Sequence, residues 1–117
     1  MRHTVLVVED EEDLREMMRD ALELNGYAVA TAQDGGEALA ELARIEHTCL
    51  VILDLLMPGM NGWDFFATMR QRPELASVPV VVHSSAASRA PVGVNRVLQK
   101  PLELNRLLAV VHEYCEK

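Results

Sequence analysis

A chain of 117 residues is long enough for one domain with a sizeable core and too short for two. Half of it is hydrophobic but only 4% is aromatic, so the core has to be built mainly from Val, Leu, Ala and Met. A formal net charge of -7 argues against direct contact with nucleic acid and favours a cation or a basic protein surface. With no apolar run near the ~20 residues of a membrane span and no charged-then-apolar leader, a cytoplasmic protein without a membrane partner is expected.

Thr4 to Val8 is a short apolar run and reads as the first strand. It stops at five consecutive acids, Glu9, Asp10, Glu11, Glu12 and Asp13. Glu12 and Asp13 suit the first turn of a helix, where negative charge complements the dipole. Glu9 and Asp10 fall at the strand end itself, where neighbouring like charges need a counter-ion. Leu14, Met17, Met18, Ala21 and Leu22 then recur with the spacing of one apolar helical stripe, closed by Asn25 and Gly26 as a cap pair.

Tyr27 to Thr31 reads as a second strand, and Asp34, Gly35 and Gly36 as a turn into a helix with Ala38, Leu39, Leu42 and Ala43 inward. Cys49 to Leu53 lacks polar alternation, the pattern of a strand buried on both faces, and it runs into Asp54. Pro58, Gly59, Asn61 and Gly62 then break regular structure, which places Asp54 at the carboxyl end of a central strand, facing a loop. A carboxylate there requires a cation, hydrogen bonds or water, and in open parallel sheets that edge is where ligands bind.

Trp63, Phe66 and Met69 mark a third helix that ends before Pro73, with Trp63 close to Asp54. Val78 to His83 is the fourth strand, followed by Ser84 and Ser85. Gly93 to Leu98 is the fifth, ending at Gln99, Lys100 and Pro101, and the last helix carries Leu104, Leu107, Leu108, Val111 and Cys115 on one face. This alternation predicts an α/β fold, a doubly wound five-stranded parallel sheet with helices on both faces. Only Ser85 to Gly93, with Pro91 inside, joins the fourth strand to the fifth, so the fourth helix is expected to be short or missing. Cys49 and Cys115 lack metal-ligand spacing and read as two small buried hydrophobes.

The strand ends converge on one chemistry. Carboxylates of Glu9, Asp10 and Asp54 are hard oxygen ligands of the kind a magnesium ion takes. Lys100 is a point charge suited to a phosphate or to Asp54, and the Ser84 hydroxyl can donate one hydrogen bond. Together they fit a carboxylate nucleophile attacking a phosphoryl group whose charge a metal and a lysine neutralise.

The stretches VLVVEDEEDLR, AQDGGEAL, VILDLLMPGMNGWDF, PVVVHSSA and VLQKPL occur in that order over nearly the full length. In them the chain resembles the receiver domain of two-component response regulators, of the single-domain, chemotaxis-regulator kind. The resemblance implies a flavodoxin-like fold with strand order 2-1-3-4-5 and a phosphoryl group accepted by Asp54 from a sensor histidine kinase, a phosphotransfer protein or a small phosphodonor. It implies that Asp10, Asp54 and the backbone carbonyl of Leu56 bind Mg2+, with Glu9 assisting through water. Ser84 would hydrogen-bond the phosphoryl group, Lys100 would pair with it, and the bond between Lys100 and Pro101 would be cis. A downstream protein target is implied as well, with no enzymatic activity beyond the domain's own phosphoryl transfer and dephosphorylation. Where the family has an aromatic three residues before its lysine, this chain has Val97.

The chain is expected to be a receiver standing alone over residues 1–117, and Met1 slightly favours a natural single-domain protein. Homodimer formation is left open by an acidic surface with an exposed apolar face. Leu56, two residues beyond Asp54, is in position to shield an acyl phosphate from water or simply to pack on the next loop. A phosphohydrolase of the haloacid dehalogenase type would want a second acid at Leu56. A nucleotide or flavin binder would want a glycine-rich loop where the acids stand. A degenerate receiver serving as an interaction module is favoured by Val97 and the short fourth crossover, and opposed by Asp10, Asp54, Ser84 and Lys100.

Overall fold

Strands that are apolar at every position need cover on both faces, and the sheet supplies it. The computed structural model describes residues 3–116, so Met1 and its bearing on domain organisation lie outside the described residues. In chain order the elements are β1 (Thr4–Val8), α1 (Glu12–Leu24), β2 (Ala28–Ala32), α2 (Gly35–Arg44), β3 (Thr48–Leu53), α3 (Gly62–Gln71), β4 (Val80–Ser84), a single 3-10 turn (Ala87–Arg89), β5 (Arg96–Gln99) and α4 (Leu104–Cys115). The five strands form one parallel sheet of order β2-β1-β3-β4-β5, the doubly wound flavodoxin-like arrangement.

Side chains alternate across this sheet, so each central strand feeds two cores. Leu6, Val8, Val51 and Leu53 face α2 and α3, where they meet Leu42, Phe65 and Met69. Val5, Val7, Leu50 and Ile52 face the other way, onto Met18 and Leu22 of α1 and Leu107 and Val111 of α4. Helix starts are fixed locally: Asp34 and Asn61 accept hydrogen bonds from the amides of Glu37 and Asp64, at 2.8 and 2.9 Å. Gly26, at φ +89°, turns the chain out of α1 in the left-handed conformation that glycine tolerates.

The fourth crossover is cut to the 3-10 turn, and α3 holds what remains of it. The Trp63 indole Nε1 donates to the Arg89 carbonyl at 2.9 Å, and the Arg89 guanidinium lies 5.4 Å from the centre of the Trp63 ring. β5 is shorter than the apolar run predicts, because residues 93–95 are used to turn. Gly93 has φ +104°, and the Asn95 side chain accepts from the Val80 amide at 2.9 Å, which also moves the start of β4 from Val78 to Val80.

Three residues assigned to apolar stripes are exposed: Met17, Ala43 and Leu104. Met17 is on the flank of a stripe that only Met18 and Leu22 bury fully, and Leu104 lies in the first turn of α4, ahead of the buried Leu107. The reading of Cys49 and Cys115 as separate buried hydrophobes is corrected. The start of β3 and the end of α4 lie at the same end of one core, which brings the two Cα atoms within 5.3 Å, and the sulfurs are joined in a disulfide.

Candidate functional site

All five strands of a parallel sheet end on one edge, so the residues that follow them are neighbours in space however far apart they are in the chain. β1 delivers Glu9, and the Glu9 amide continues the ladder by donating to the Ala32 carbonyl at 3.0 Å. Asp54 follows β3 in the same way, its amide donating to Val8 at 3.0 Å. Both carboxylates are buried, Glu9 to 1% and Asp54 to 3% exposure. Burial at that level demands a partner. Lys100, just past β5, supplies it: Nζ donates to Asp54 Oδ2 at 2.9 Å and pairs with Glu9 Oε1 at 3.0 Å. The Leu56 amide donates to Asp54 Oδ1 at 3.2 Å, and the Glu11 amide to Glu9 Oε2 at 3.1 Å. The peptide bond between Lys100 and Pro101 is cis.

Burial raises the Glu9 pKa above the ordinary carboxylate range, the Glu11 amide and the Lys100 hydrogen bond act against this, and the Asp54 charge adds to it. Burial alone would lower the Lys100 pKa. The bonds to Asp54 and Glu9 outweigh it, and the net direction is upward. His83 is buried on β4 with neither ring nitrogen partnered among the described residues. Its pKa is lowered by burial and by the Lys100 charge, against an opposite pull from Asp54.

Residues 5–112, which include every one of these groups, match the family described as the response regulator receiver domain. The chain belongs to the response regulator receiver family. The receiver domain is 34% identical over 109 residues to the response regulator MprA of Mycolicibacterium vanbaalenii, covering 90% of this chain and 47% of MprA, so it spans about half of that relative. It is 28% identical over 120 residues to the polar-differentiation response regulator DivK of Brucella ovis, with 97% of each chain covered. In structure it is similar to the response regulator TrrA of Thermotoga maritima, which was solved in complex with Mg2+ and BeF, at a TM-score of 0.83 and 26% identity over 96% of this chain and 98% of that one.

Within the receiver domain the carboxylate oxygens of Glu9, Asp10 and Asp54 come within 4.8 Å of one another. Three carboxylates and one ammonium leave two formal negative charges over, all on hard oxygen donors, and Asp10 is exposed on the open side. That donor set fits a small divalent cation such as Mg2+. Leu56 stands beside it, 45% exposed, on the wall of an open cleft of about 440 Å³ that Asp10, Met57, Pro58, Asn61 and Trp63 also line. Trp63 therefore lies near the site, as expected from the sequence.

Ser84 is positioned differently from the charged groups. It is fully buried at the end of β4; its carbonyl accepts from the Lys100 amide at 3.2 Å, while its Oγ accepts from the Ala86 amide at 3.1 Å and makes no hydrogen bond to the Asp54 or Lys100 side chain. Arg15 was missed in the sequence. From the first turn of α1 its Nη1 donates to the Glu9 carbonyl at 2.9 Å and to the Asp10 carbonyl at 3.4 Å, which ties the acidic turn to the helix. The only available signal was a cation standing five residues after Asp10 among acids.

Proposed function

We propose that this receiver domain is a phospho-accepting switch in a two-component phosphorelay, with Asp54 as the acceptor. The observation that carries the reading is the buried pair of carboxylates, Asp54 and Glu9, bridged by Lys100 beside the exposed Asp10. A carboxylate oxygen of Asp54 forms the new P–O bond, the P–N bond of a phosphohistidine donor breaks, and the imidazole leaves and takes up a proton from water. Lys100 pairs with the arriving phosphoryl oxygens, and the Ser84 hydroxyl, once released from Ala86, donates to one of them. Glu9, Asp10, Asp54 and the Leu56 carbonyl are the donors that would hold Mg2+, which supplies charge neutralisation at the phosphoryl group when bound. The likeness to TrrA, solved with Mg2+ and BeF, supports that assignment.

The donor on this reading is a sensor histidine kinase or phosphotransfer protein, and the output is a changed surface presented to a protein target. On the same reading the domain performs no turnover of other substrates and works in the cytoplasm. None of the helices among the described residues is long and apolar enough to cross a membrane. Incubation with Mg2+ and acetyl phosphate is expected to add one phosphoryl group to the wild type and none to Asp54→Asn, read by intact mass. Beryllofluoride with Mg2+ should change Trp63 fluorescence in the wild type alone. If neither ligand engages the wild type, the reading as an interaction module independent of phosphorylation takes over. That alternative draws on Val97, 43% exposed where the family places an aromatic, and on the single-turn crossover.

Leu56 adds a kinetic expectation. An aliphatic side chain on the cleft wall beside Asp54 crowds the approach of water and offers it no hydrogen bond. Leu56→Asn is expected to shorten the life of the acyl phosphate several-fold, measured as loss of the phosphoryl mass after the donor is removed. An unchanged rate would show that Leu56 only packs on the loop.

A further inference from the structure

The disulfide between Cys49 and Cys115 takes no part in the chemistry at Asp54. Cys49 is the second residue of β3, and Asp54 lies five residues on, about 17 Å away at the rise of a strand. The bridge therefore sits at the opposite edge of the sheet from the carboxylates. It joins residues 66 apart in sequence and pins the last residue of α4 to the start of a central strand. Among the described residues there is no free cysteine, so no third thiol competes for the pair.

The core is not so small that it calls for a staple. Chains of roughly 70 residues or fewer often need staples because their cores are small, whereas this one has 117 residues and two cores. α4 is already held by Leu107 and Val111, both fully buried against Leu50, Val81 and Leu98. Opening the bridge leaves those contacts in place and removes one tie from the turn beyond Val111, which then keeps only the partly exposed contacts of Arg96 with Glu113 and the Tyr114 ring and the packing of Tyr114 on the core. The two sulfurs also differ in access. Cys115 is half-buried at a helix C-terminus, and Cys49 is 8% exposed with its sulfur 3.6 Å from the Thr4 carbonyl, an acceptor ready for a thiol proton.

We propose that Cys49 and Cys115 form a reversible thiol–disulfide site, whose substrate is a dithiol reductant and whose opening loosens the last turn of α4. A thiolate of the reductant attacks Cys115 Sγ, the S–S bond breaks, and Cys49 leaves and takes a proton. The second thiol of the reductant then displaces Cys115 as a thiol. Two electrons pass to the protein, and the reductant is left as a disulfide. A cytoplasmic thiol pool keeps most such bonds open, so the pair reports a shift toward oxidising conditions, which close it by the reverse exchange. This input is independent of phosphorylation at Asp54.

The test equilibrates the folded wild type in graded mixtures of reduced and oxidised glutathione, quenches with acid, alkylates free thiols and reads the number of labels by intact mass. Dithiothreitol serves as the dithiol probe. Full interconversion without denaturant is expected. Hydrogen exchange of the amides after Val111 should quicken about tenfold or more on reduction, while the rest of α4 stays protected. Cys115→Ser should reproduce the reduced pattern under both conditions, and the response of Trp63 to Mg2+ and beryllofluoride should be the same in both redox forms. The proposal is overturned if the bridge resists excess dithiothreitol until the protein is unfolded, if the thiols stay unpaired in oxidised glutathione, or if exchange in the last turn is the same in both forms.

Discussion

Replacement of Lys100 by methionine is expected to destabilise the fold by about 3 kcal/mol at neutral pH in magnesium-free buffer, whereas Asp54→Asn leaves it as stable or more so. Both substitutions break the same 2.9 Å contact between two charges, and they differ in what they strand. Methionine fills the stem of the lysine but leaves Glu9 and Asp54 facing each other with almost no solvent. Asparagine instead removes one of the two like charges and leaves Lys100 with Glu9 at 3.0 Å. The figure is at the low end for a broken buried pair, because Asp10 opens the site to water on one side.

The pH dependence follows from the raised Glu9 pKa, the net of burial, the Glu11 amide, Lys100 and Asp54. Because the native state holds this proton more tightly than the unfolded chain does, stability falls as pH rises from the ordinary carboxylate value through the folded value. Removing Lys100 takes away both its hydrogen bond and its charge, so the folded value moves up and the fall becomes larger. The gap between Lys100→Met and wild type should therefore narrow from about pH 7 to about pH 5, measured by urea midpoints at each pH. The Lys100 pKa is raised as well, which keeps that side chain charged throughout the window. Equal losses for Lys100→Met and Asp54→Asn would mean that the pair is held by something other than its charges.

The carboxylate cluster was legible because Glu9 and Asp54 directly follow apolar runs, with Asp10 one residue further on, and a parallel sheet brings all such positions to one edge. The shortened crossover could be read from a simple count of residues between His83 and Gly93. What could not be read depends on distances across the fold. Cys49 and Cys115 are far apart in the chain, and only the packing of α4 on the core beside β3 makes them neighbours. Arg15 looks like any cation among acids until its guanidinium is seen turned back onto the carbonyls of Glu9 and Asp10. Ser84 was placed at the right strand end, but its hydroxyl answers the Ala86 amide, a local choice that composition does not encode. Met17 shows the limit of periodicity: its spacing is helical, and burial stops one residue short of it.

Substituting Gly62 by alanine should be among the most damaging single-methyl changes in the chain, at about 3 kcal/mol or more. Gly62 opens α3, and its amide donates to the Leu55 carbonyl at 3.0 Å, which draws the helix start against the strand end. A Cβ there would stand 2.5 Å from the Asp54 carbonyl oxygen, 2.7 Å from the Leu55 Cα and 3.0 Å from a Leu55 methyl. Two of these are backbone atoms, so no rotamer change relieves the overlap, and either α3 backs away or the turn after β3 gives. Either movement disturbs the peptide that carries Asp54, so the fluorescence response of Trp63 to Mg2+ and beryllofluoride should weaken beyond what lost stability explains. Gly36→Ala is the matched control. Its new methyl would come only to 3.4 Å of the Asp34 carboxylate, at an exposed position in the first turn of α2, and the expected result is no loss or a gain of about 0.5 kcal/mol. Thermal and urea unfolding of the two variants side by side separate a general glycine effect from a specific collision. A midpoint for Gly62→Ala equal to that of Gly36→Ala would show that the start of α3 can retreat without disturbing the turn that holds Asp54.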